Sequence, residues 1–250
     1  LIAANALYRP GPMDYIPDYI EGKIKNKVVY DCPGLKPILE PTYGVIVYQE
    51  QVMRIVQDLA GYTLGRADLV RRAMSKKHQD EIDAERQIFV YGGEYTDKHG
   101  KQVIIPGCIK NHICETDEKS EKVAHIIYDK MTNFAKYAFN KSHAACYAVT
   151  AFNTAFYKNF FTAEYLMAVL NWAPNIEKIA AIMEDAHEMG IEIIPPDINL
   201  SQAKFSTSGG KIVFGIGSIK NVGDFAQTII KERDTNGPFT SLKNYLLRVG

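Results

Sequence analysis

Two consecutive helical patterns between residues 48 and 77 most constrain how this chain can fold. In the first, YQEQVMRIVQDL at 48–59, apolar residues recur at helical spacing at Val52, Ile55, Val56 and Leu59. Gly61 is typical of a helix end, and Thr63 is typical of the residue that caps the next helix. The sequence therefore predicts one helix over Tyr48–Leu59 and a second over Leu64–Lys77.

The second predicted helix, LGRADLVRRAMSKK, concentrates positive charge in a chain that is neutral overall. The 250 residues contain 29 Lys and Arg against 29 Asp and Glu, whereas this segment has five basic residues and one acid. Helical geometry places Arg66, Arg72, Lys76 and Lys77 on one side. The expected packing side contains Leu64, Ala67, Val70 and Met74, with Arg71 projecting among them. Arginines suit phosphate because a guanidinium can bind two oxygens at once, but a solvated face with an Asp68–Arg72 pair fits equally well.

The remaining patterns predict a mainly α (α+β) fold. Six prolines within residues 1–45 favour turns with short helical pieces. Further helices are expected at 79–91, 117–138, from the FNKSHAACY segment through Tyr157, and at 165–171, 177–189 and 225–233. A hairpin insertion near 95–106 would turn at His99-Gly100 and contain a strand at 102–105, while strands at 191–194 and 211–216 form a small β element near 190–217. We expect a helical domain over 1–190 and a small α/β continuation over 191–250.

Composition excludes several classes of protein. An apolar fraction of 46% is typical of a folded domain, and overall neutrality argues against a histone-like binder. The four cysteines lack CxxC spacing, no signal peptide is evident, and no apolar run approaches the length of a membrane span. We therefore expect a cytoplasmic protein without a membrane partner. Because the chain begins with Leu, it has the character of a piece of a longer polypeptide.

A second candidate phosphate site lies at residues 139–147, FNKSHAACY. Asn140, Lys141, Ser142 and His143 fall at a predicted loop-to-helix junction, where free amide donors favour anions. Ser142 is the expected cap of that helix. The glycine-spaced segment GIGSIKNVG at 215–223 could also approach a phosphate, although a tight strand-to-helix corner explains it better.

Other chemistries find less support in the sequence. His143 and Cys146 have the spacing of a Cys–His pair, but the neighbours of Cys146 favour a small core residue. A zinc site from Cys108, His112 and Cys114 lacks a fourth ligand unless His99 folds across. Asp197 follows two prolines and is interpreted as a turn residue, and no acid pair, Walker loop or GxGxxG motif is present. The pattern indicates a chain that binds phosphates without the groups that transfer them.

Five long motifs occur in a specific order along the chain. They are ALYRPGPM at 6–13, EPTYGVIVYQEQVM at 40–53, AGYTLGRADLVRRAMSKK at 60–77, FAKYAFNKSHAACYA at 134–148 and PPDIN at 195–199. This order resembles the fingers region of the bacterial replicative DNA polymerase III alpha subunit, in the C family of DNA polymerases. The segments GIGSIKNVG and FTSLKNYLLRV resemble the part of that family before its tandem helix-hairpin-helix region.

The resemblance implies a DNA-directed DNA polymerase, a nucleotidyltransferase that adds deoxynucleotides to a primer in DNA replication. The family's catalytic aspartates lie on a palm domain that precedes the part present here. Neither catalytic residues nor metal ligands are therefore expected in this chain, and the fragment alone should be inactive. Mg²⁺ is implied for the full enzyme, bound by residues outside this chain. Residues 1–12 would form the palm-to-fingers connection, and a 3′–5′ exonuclease is not expected within this chain.

The resemblance also assigns candidate binding residues for DNA replication. The expected contacts with the triphosphate of an incoming dNTP are Arg9, Arg71, Arg72, Lys76 and Lys77. The expected nucleotide or primer-template contacts are Tyr48, Gln49, Asn140, Lys141, Ser142, His143 and Tyr147, although packing explains Tyr48, Gln49 and Tyr147 as well. Arg66 is not expected to bind nucleotide. The partners implied are primer-template DNA, dNTPs and other replisome subunits, the last through segments beyond this chain.

Two alternatives from other classes remain open. A non-catalytic helical module could use the same basic helix to bind the backbone of nucleic acid, in which case affinity would depend on strand length and salt. A zinc-stabilised interaction domain is the third interpretation. The stretch 92–114 is longer than is typical of the family, so the resemblance assigns it no role.

Overall fold

The computed structural model describes residues 1–25, 28–76, 79–96, 100–135 and 137–249. Its helices are α1 Ile2–Leu7, α2 Ile16–Lys25, α3 Lys36–Leu39, α4 Gln49–Ala60, α5 Leu64–Lys76, α6 Gln79–Tyr91, α7 Gly107–Lys110, α8 Asp117–Ala135, α9 Lys141–Phe160, α10 Thr162–Asn171, α11 Ile176–Glu188, α12 Phe225–Asn236 and α13 Leu242–Val249. Its strands are β1 Gly93–Thr96, β2 Gln102–Ile105, β3 Ile193–Ile194, β4 Ser206–Ser208 and β5 Lys211–Val213. The predicted mainly α fold is confirmed, with 65% of the described residues helical.

The chain divides into two compact units, residues 1–150 and 151–250. The predicted domain boundary at 190/191 stays a prediction. In the first unit, helices α4, α5, α6 and α8 surround one apolar core. The predicted core positions of α4 (Val52, Ile55, Val56 and Leu59) are all at most 3% exposed. Helical spacing was a sufficient signal here because one side of α4 is buried along its whole length.

The link between α4 and α5 follows the predicted cap chemistry. Gly61 ends α4 with a φ of 81°, a left-handed conformation that glycine adopts without strain. The Thr63 hydroxyl accepts a hydrogen bond from the Arg66 amide at 3.4 Å, near the start of α5. Of the residues expected to pack, Leu64 is 63% exposed. Its assignment to the core was wrong because it is the first residue of α5 and points away from the buried side.

A two-stranded hairpin separates α6 from α7, as the sequence predicted. Strands β1 and β2 pair antiparallel, with Gly93 opposite Ile105 and Thr96 opposite Gln102. At its base the two chain segments touch through Gly92 and Gly107, whose φ values are 86° and 79°. A Cβ on Gly107 would lie 2.3 Å from the amide nitrogen of Gly92, so only glycines allow this approach. The expected turn residue His99 lies outside the described residues.

The segment between α8 and α9 departs from the predicted helix over 117–138. Helix α8 ends at Ala135, and Phe139 forms an isolated parallel bridge with Tyr48. The chain leaves the helical path because the Phe139 backbone takes its hydrogen-bond partners from Val47 and Gln49, at the start of α4, rather than from α8. Tyr48 likewise lies outside α4, in extended conformation with φ −113° and ψ 146°.

The second unit combines α10–α13 with a three-stranded sheet. Strand β5 lies in the centre, parallel to β3 and antiparallel to β4. The small β element near 190–217 is therefore confirmed, although the two expected strands are shorter than predicted and β4 was missed. Asp197 forms the expected turn, since its carboxylate accepts from the Asn199 amide at 2.7 Å. Residues 216–218 form a short 3₁₀ turn before α12. Within the described residues, no helix is both long and apolar enough to cross a membrane.

Candidate functional site

Two distant segments, 47–51 and 138–143, meet side by side in the first unit, and we call them together the junction. The Phe139 amide donates to the Val47 carbonyl at 3.3 Å, and the Gln49 amide donates to the Phe139 carbonyl at 3.0 Å. The Gln49 side chain adds a bond from Nε2 to the Ala138 carbonyl at 3.1 Å. The junction thus fixes the start of α9 beside the start of α4, which brings together candidates from two separate motifs.

Glu50 binds the amino-terminal end of α9. Its carboxylate accepts from the backbone amide of Lys141, with both oxygens 3.1 Å away, and from Asn140 Nδ2 at 2.8 Å. Asn140 in turn caps the helix, because its Oδ1 accepts from the His143 amide at 2.8 Å. The prediction that Ser142 is the cap was therefore wrong, since Ser142 already lies within α9 and Asn140 takes that role.

Gln51 fixes the backbone of the junction from the buried side. The residue is 7% exposed. Its Oε1 accepts from the amides of Val47 at 2.8 Å and Tyr48 at 2.9 Å. Its Nε2 donates to Thr42 Oγ1 at 2.7 Å and to the Ile38 carbonyl at 3.2 Å. A single side chain therefore satisfies polar groups on both sides of the turn that leads into α4.

Arg71 connects the basic helix α5 to the junction. Its Nε and Nη2 donate to Asp68 Oδ1 at 3.0 and 2.7 Å, and its Nη1 donates to Gln49 Oε1 at 3.3 Å. The Arg71 side chain is 18% exposed. The guanidinium is thus held at three atoms, and its charge lies at the edge of the junction.

Arg72 has a looser position on the same helix. Its Nη2 lies 2.8 Å from Asp68 Oδ2, and the Arg72 side chain is 60% exposed. The Asp68–Arg72 pair anticipated from the spacing therefore forms, together with a second pair to Arg71. Hydrogen bonding from Arg71, and the charges of both arginines, hold the pKa of the Asp68 carboxyl below its usual value.

Lys76 continues the exposed face of α5, one turn beyond Arg72. The neighbouring Ser75 donates to the Ala135 carbonyl at 3.2 Å, which ties this end of α5 to the end of α8. The candidate Lys77 lies outside the described residues. Arg66, which was not expected to bind nucleotide, forms an ion pair with Glu85 and lies over the Tyr95 ring at 5.0 Å.

A row of stacked side chains extends from the junction along α9. The Arg9 guanidinium lies 4.4 Å from the centre of the Phe139 ring, the Phe139 and His143 rings are 5.4 Å apart, and the His143 and Tyr147 rings are 4.8 Å apart. Arg9 also donates to the carbonyls of Ala6 at 3.0 Å and Tyr137 at 2.6 Å. Burial lowers the pKa of Arg9, which retains its charge at neutral pH because an arginine pKa is so high.

The candidates differ in how much of each is available to a ligand. Arg72, Lys76, Lys141, Ser142, His143 and Tyr147 are exposed. Gln49, Arg9 and Arg71 are partly buried and have protein partners, while Tyr48 is 4% exposed. Burial raises the pKa of Tyr48 to about 12, and the Lys141 ammonium lies 5.6 Å from the centre of its ring. Lys141, unlike Tyr48, can reach a ligand directly.

The arrangement suits the binding of anions. It collects guanidinium and ammonium groups from three segments, with Asp68 holding the arginines of α5 and Glu50 holding the start of the helix that carries Lys141. Among the residues that the structure describes, no three His, Cys, Asp or Glu side chains are grouped to hold a metal ion. Cys108, His112 and Cys114 form no such group, and burial raises the pKa of Cys108, which favours its uncharged thiol. Cys146 is exposed. Its expected place in the core was wrong because Ala144 and Ala148 are the buried positions of α9.

Sequence reasoning missed three residues of the junction. Glu50 was overlooked because its partners are 90 and 91 positions away in the chain. Phe139 was quoted in a motif without a role, and only the fold brings it between Arg9 and His143. Gln51 had a usable signal, since a Gln in the first turn of a predicted helix can accept from the backbone ahead of it.

Comparison with known proteins gives consistent matches over the whole chain. Residues 1–97 match the bacterial DNA polymerase III alpha subunit finger domain, and residues 190–250 match the helix-hairpin-helix motif. Proteins named DNA polymerase III subunit alpha are similar to it from end to end. The one from Treponema pallidum is 43% identical over 252 residues, covering 100% of this chain and 20% of that protein. The one from Thermus aquaticus is 39% identical over 257 residues, covering 100% of this chain and 19% of that protein.

A third relative, from Chlamydia muridarum, is 40% identical over 251 residues, which are 99% of this chain and 19% of the relative. The chain thus spans about a fifth of the length of the curated relatives it matches. The resemblance drawn from the five motifs is confirmed.

Proposed function

We propose that this chain, homologous along its whole length to bacterial DNA polymerase III alpha subunits, is the fingers part of a replicative DNA-directed DNA polymerase. In this proposal it binds the triphosphate of an incoming dNTP and contacts primer-template DNA. The observation that carries it is the double contact of Gln49 with Arg71 and with the Ala138 carbonyl. Through that side chain, Arg71 of α5 is linked to the backbone just before α9.

Each candidate then has a role that its surroundings support. Arg72 and Lys76 are exposed and supply mobile positive charge to the triphosphate, while Arg71 supplies a fixed charge at the edge of the junction. Fixed cations stabilise the charge that develops on a leaving pyrophosphate, because they need little reorganisation during the reaction. Lys141, Ser142 and His143 face the nucleotide or primer-template from α9, with Tyr147 extending that surface. Arg9, Tyr48 and Gln49 orient these groups more than they contact the ligand.

The chemical step belongs to the rest of the proposed polymerase. Catalytic carboxylates and the Mg²⁺ that they bind would lie outside this chain, and the fragment alone would not extend a primer. The residues described here bind and orient the nucleotide. Other replisome subunits would bind through segments beyond this chain.

The test is single-nucleotide incorporation by the parent polymerase carrying Arg72→Ala or Lys141→Ala. We expect kcat/KM for the nucleotide to fall about 30-fold or more, by analogy with other preorganised charged groups, while DNA affinity stays unchanged. Arg54→Ala is the matched control, because Arg54 lies on the exposed face of α4 and pairs only with Asp58 within the described residues. Normal incorporation in both variants would contradict the proposal.

A second candidate function is supported by the helix-hairpin-helix match over 190–250. In that alternative the chain is a non-catalytic module that binds nucleic-acid backbone. DNA affinity titrated at two salt concentrations separates the two functions, because loss of a backbone contact makes the salt dependence shallower. Weaker DNA binding in Arg72→Ala, with near-normal incorporation at saturating DNA, would favour the alternative.

A further inference from the structure

We propose that Asp68 forms an ion pair with Arg72 in the unliganded protein and that an incoming polyphosphate displaces Asp68 from this arginine. Asp68 thereby sets how strongly the site binds anions. The inference rests on the proposed function and deepens it, since it concerns the same basic face of α5. It assigns opposite behaviour to two adjacent arginines, Arg71 and Arg72.

The two oxygens of Asp68 are divided between the two arginines. Oδ1 accepts both hydrogen bonds from Arg71, at 3.0 and 2.7 Å. Oδ2 lies 2.8 Å from Arg72 Nη2. Each arginine therefore depends on a different atom of one carboxylate, and the two contacts can be changed separately.

Only one of these contacts is easily broken. Arg71 has a further bond to Gln49 Oε1 at 3.3 Å and is 18% exposed, so removing it from Asp68 would leave a partly buried charge without its acid. Arg72 is 60% exposed, and Asp68 is its one ion-pair partner within the described part of the chain. Exposed pairs of this kind contribute little to stability. The Arg72 side chain can therefore separate from Asp68 without disturbing α5, whereas Arg71 remains bound to Asp68.

A ligand must therefore compete with Asp68 for Arg72. A polyphosphate carries several charges and offers paired oxygens that match a guanidinium, so it competes well with one carboxylate. A singly charged anion has no such advantage. Asp68 thus lowers affinity for every anion, and it leaves the site responsive mainly to multiply charged phosphates.

The variant Asp68→Asn separates the two contacts. An asparagine keeps an oxygen acceptor, which the two donors of Arg71 select, and it replaces the other oxygen by an NH₂ group that cannot accept from Arg72. Arg72 would then be free in the unliganded protein while Arg71 remains in place. We expect tighter binding of polyphosphate, by about threefold, the range that exposed ion pairs allow.

The experiment measures inhibition of nucleotide incorporation by inorganic pyrophosphate in the parent polymerase. Asp68→Asn should lower the inhibition constant about threefold, Arg72→Ala should raise it, and the double variant should match Arg72→Ala because Asp68 acts through that arginine. Asp58→Asn is the matched control, since Asp58 pairs with Arg54 four positions earlier on α4, at 3.2 Å, and lies outside the candidate site. It should leave the constant unchanged.

The possible outcomes separate the inference from the proposed function. If Arg72→Ala weakens inhibition but Asp68→Asn does not strengthen it, the inference is overturned and the triphosphate site survives. If Arg72→Ala leaves pyrophosphate inhibition unchanged, the inference falls, whereas the proposed function falls only if incorporation is also normal in both Arg72→Ala and Lys141→Ala. Affinity for primer-template is measured in parallel, and an Asp68→Asn variant that gains DNA affinity without gaining pyrophosphate affinity would overturn the assignment to polyphosphate.

Discussion

The junction and the exposed face of α5 form two halves of one candidate site, with opposite physical properties. At the junction Glu50 binds partners 90 and 91 positions away, while Gln51 binds partners within 13 positions and little of it is exposed. On α5, Arg72 and Lys76 extend into solvent, and Arg72 has one weakly held partner. The difference teaches that geometry and charge are supplied separately. Changes at buried Gln51 should cost stability, whereas changes at the exposed Arg72 and Lys141 should cost binding.

The largest loss of stability is expected from Gln51→Leu, which tests the junction. The change removes both acceptor and donor functions and leaves the Val47 and Tyr48 amides, among other groups, without partners in a buried setting. We expect the free energy of unfolding to fall by about 3 kcal/mol. Urea denaturation measures it, with Gln57→Leu as a control on the same helix at a partly buried position. Equal stability of the two variants would show that the junction is not held by Gln51.

A smaller difference in the free energy of unfolding is expected between Arg71→Ala and Arg72→Ala. The comparison sets an arginine held by several protein groups against an exposed one. Loss of Arg71 removes hydrogen bonds to Asp68 and Gln49 at an 18% exposed position, and should cost about 1–2 kcal/mol. Loss of Arg72, an exposed ion-pair partner, should cost at most about 0.5 kcal/mol. Thermal unfolding of both variants measures the two losses of stability. A larger loss in Arg72→Ala than in Arg71→Ala would remove the distinction between a fixed and a free arginine.

Alkaline pH should weaken the junction through Tyr48. Burial raises the pKa of Tyr48 to about 12 in the folded protein, against about 10 in an unfolded chain. Because the folded state keeps this proton longer, the stability that Tyr48 contributes is fully present below pH 10 and is lost between about pH 10 and pH 12. Urea midpoints across this range should fall less in Tyr48→Phe than in the unmodified protein. Identical pH profiles would contradict the burial of this hydroxyl.

The smallest effect concerns the titration of Asp68, which both arginines share. The carboxyl has a lowered pKa, with the hydrogen bond from Arg71 as the largest cause. Its contribution to stability is present above its ordinary pKa of about 4 and is lost as the pH falls through the lowered value. In a carboxyl-carbon NMR titration, Arg71→Ala should raise the pKa of Asp68 more than Arg72→Ala does. Equal shifts would mean that the two arginines hold Asp68 equally.

The sequence predicted elements whose signals are local. Helix α6 over Gln79–Tyr91 and strand β2 over Gln102–Ile105 have the predicted bounds, because apolar spacing and turn residues mark both of them. Strand β4 was missed, because Ser206–Ser208 has no strand-like pattern and exists only through pairing with β5. Pairing with β5 in the folded protein, rather than the local preference of its residues, therefore determines this strand.

The candidate site was predictable to a similar extent. Its basic helix, the Asp68–Arg72 pair and the loop-to-helix start at Lys141 follow from short-range patterns. The partners of Glu50 and the place of Phe139 do not, because they depend on contacts across about 90 residues of chain. Which of the predicted residues bind a nucleotide stays a prediction until the incorporation experiment is done.

The two glycines at the base of the hairpin have a practical consequence. The backbones of Gly92 and Gly107 are in contact where the chain enters β1 and leaves β2. This contact fixes the distance between the two ends of the hairpin, whatever its length. Residues can be added at the far end without changing the distance between α6 and α7. The far end of the hairpin is therefore a suitable place to insert a fluorescent reporter or an affinity tag, whereas Tyr95 of β1 contacts Thr63 and Arg66 and must be left intact.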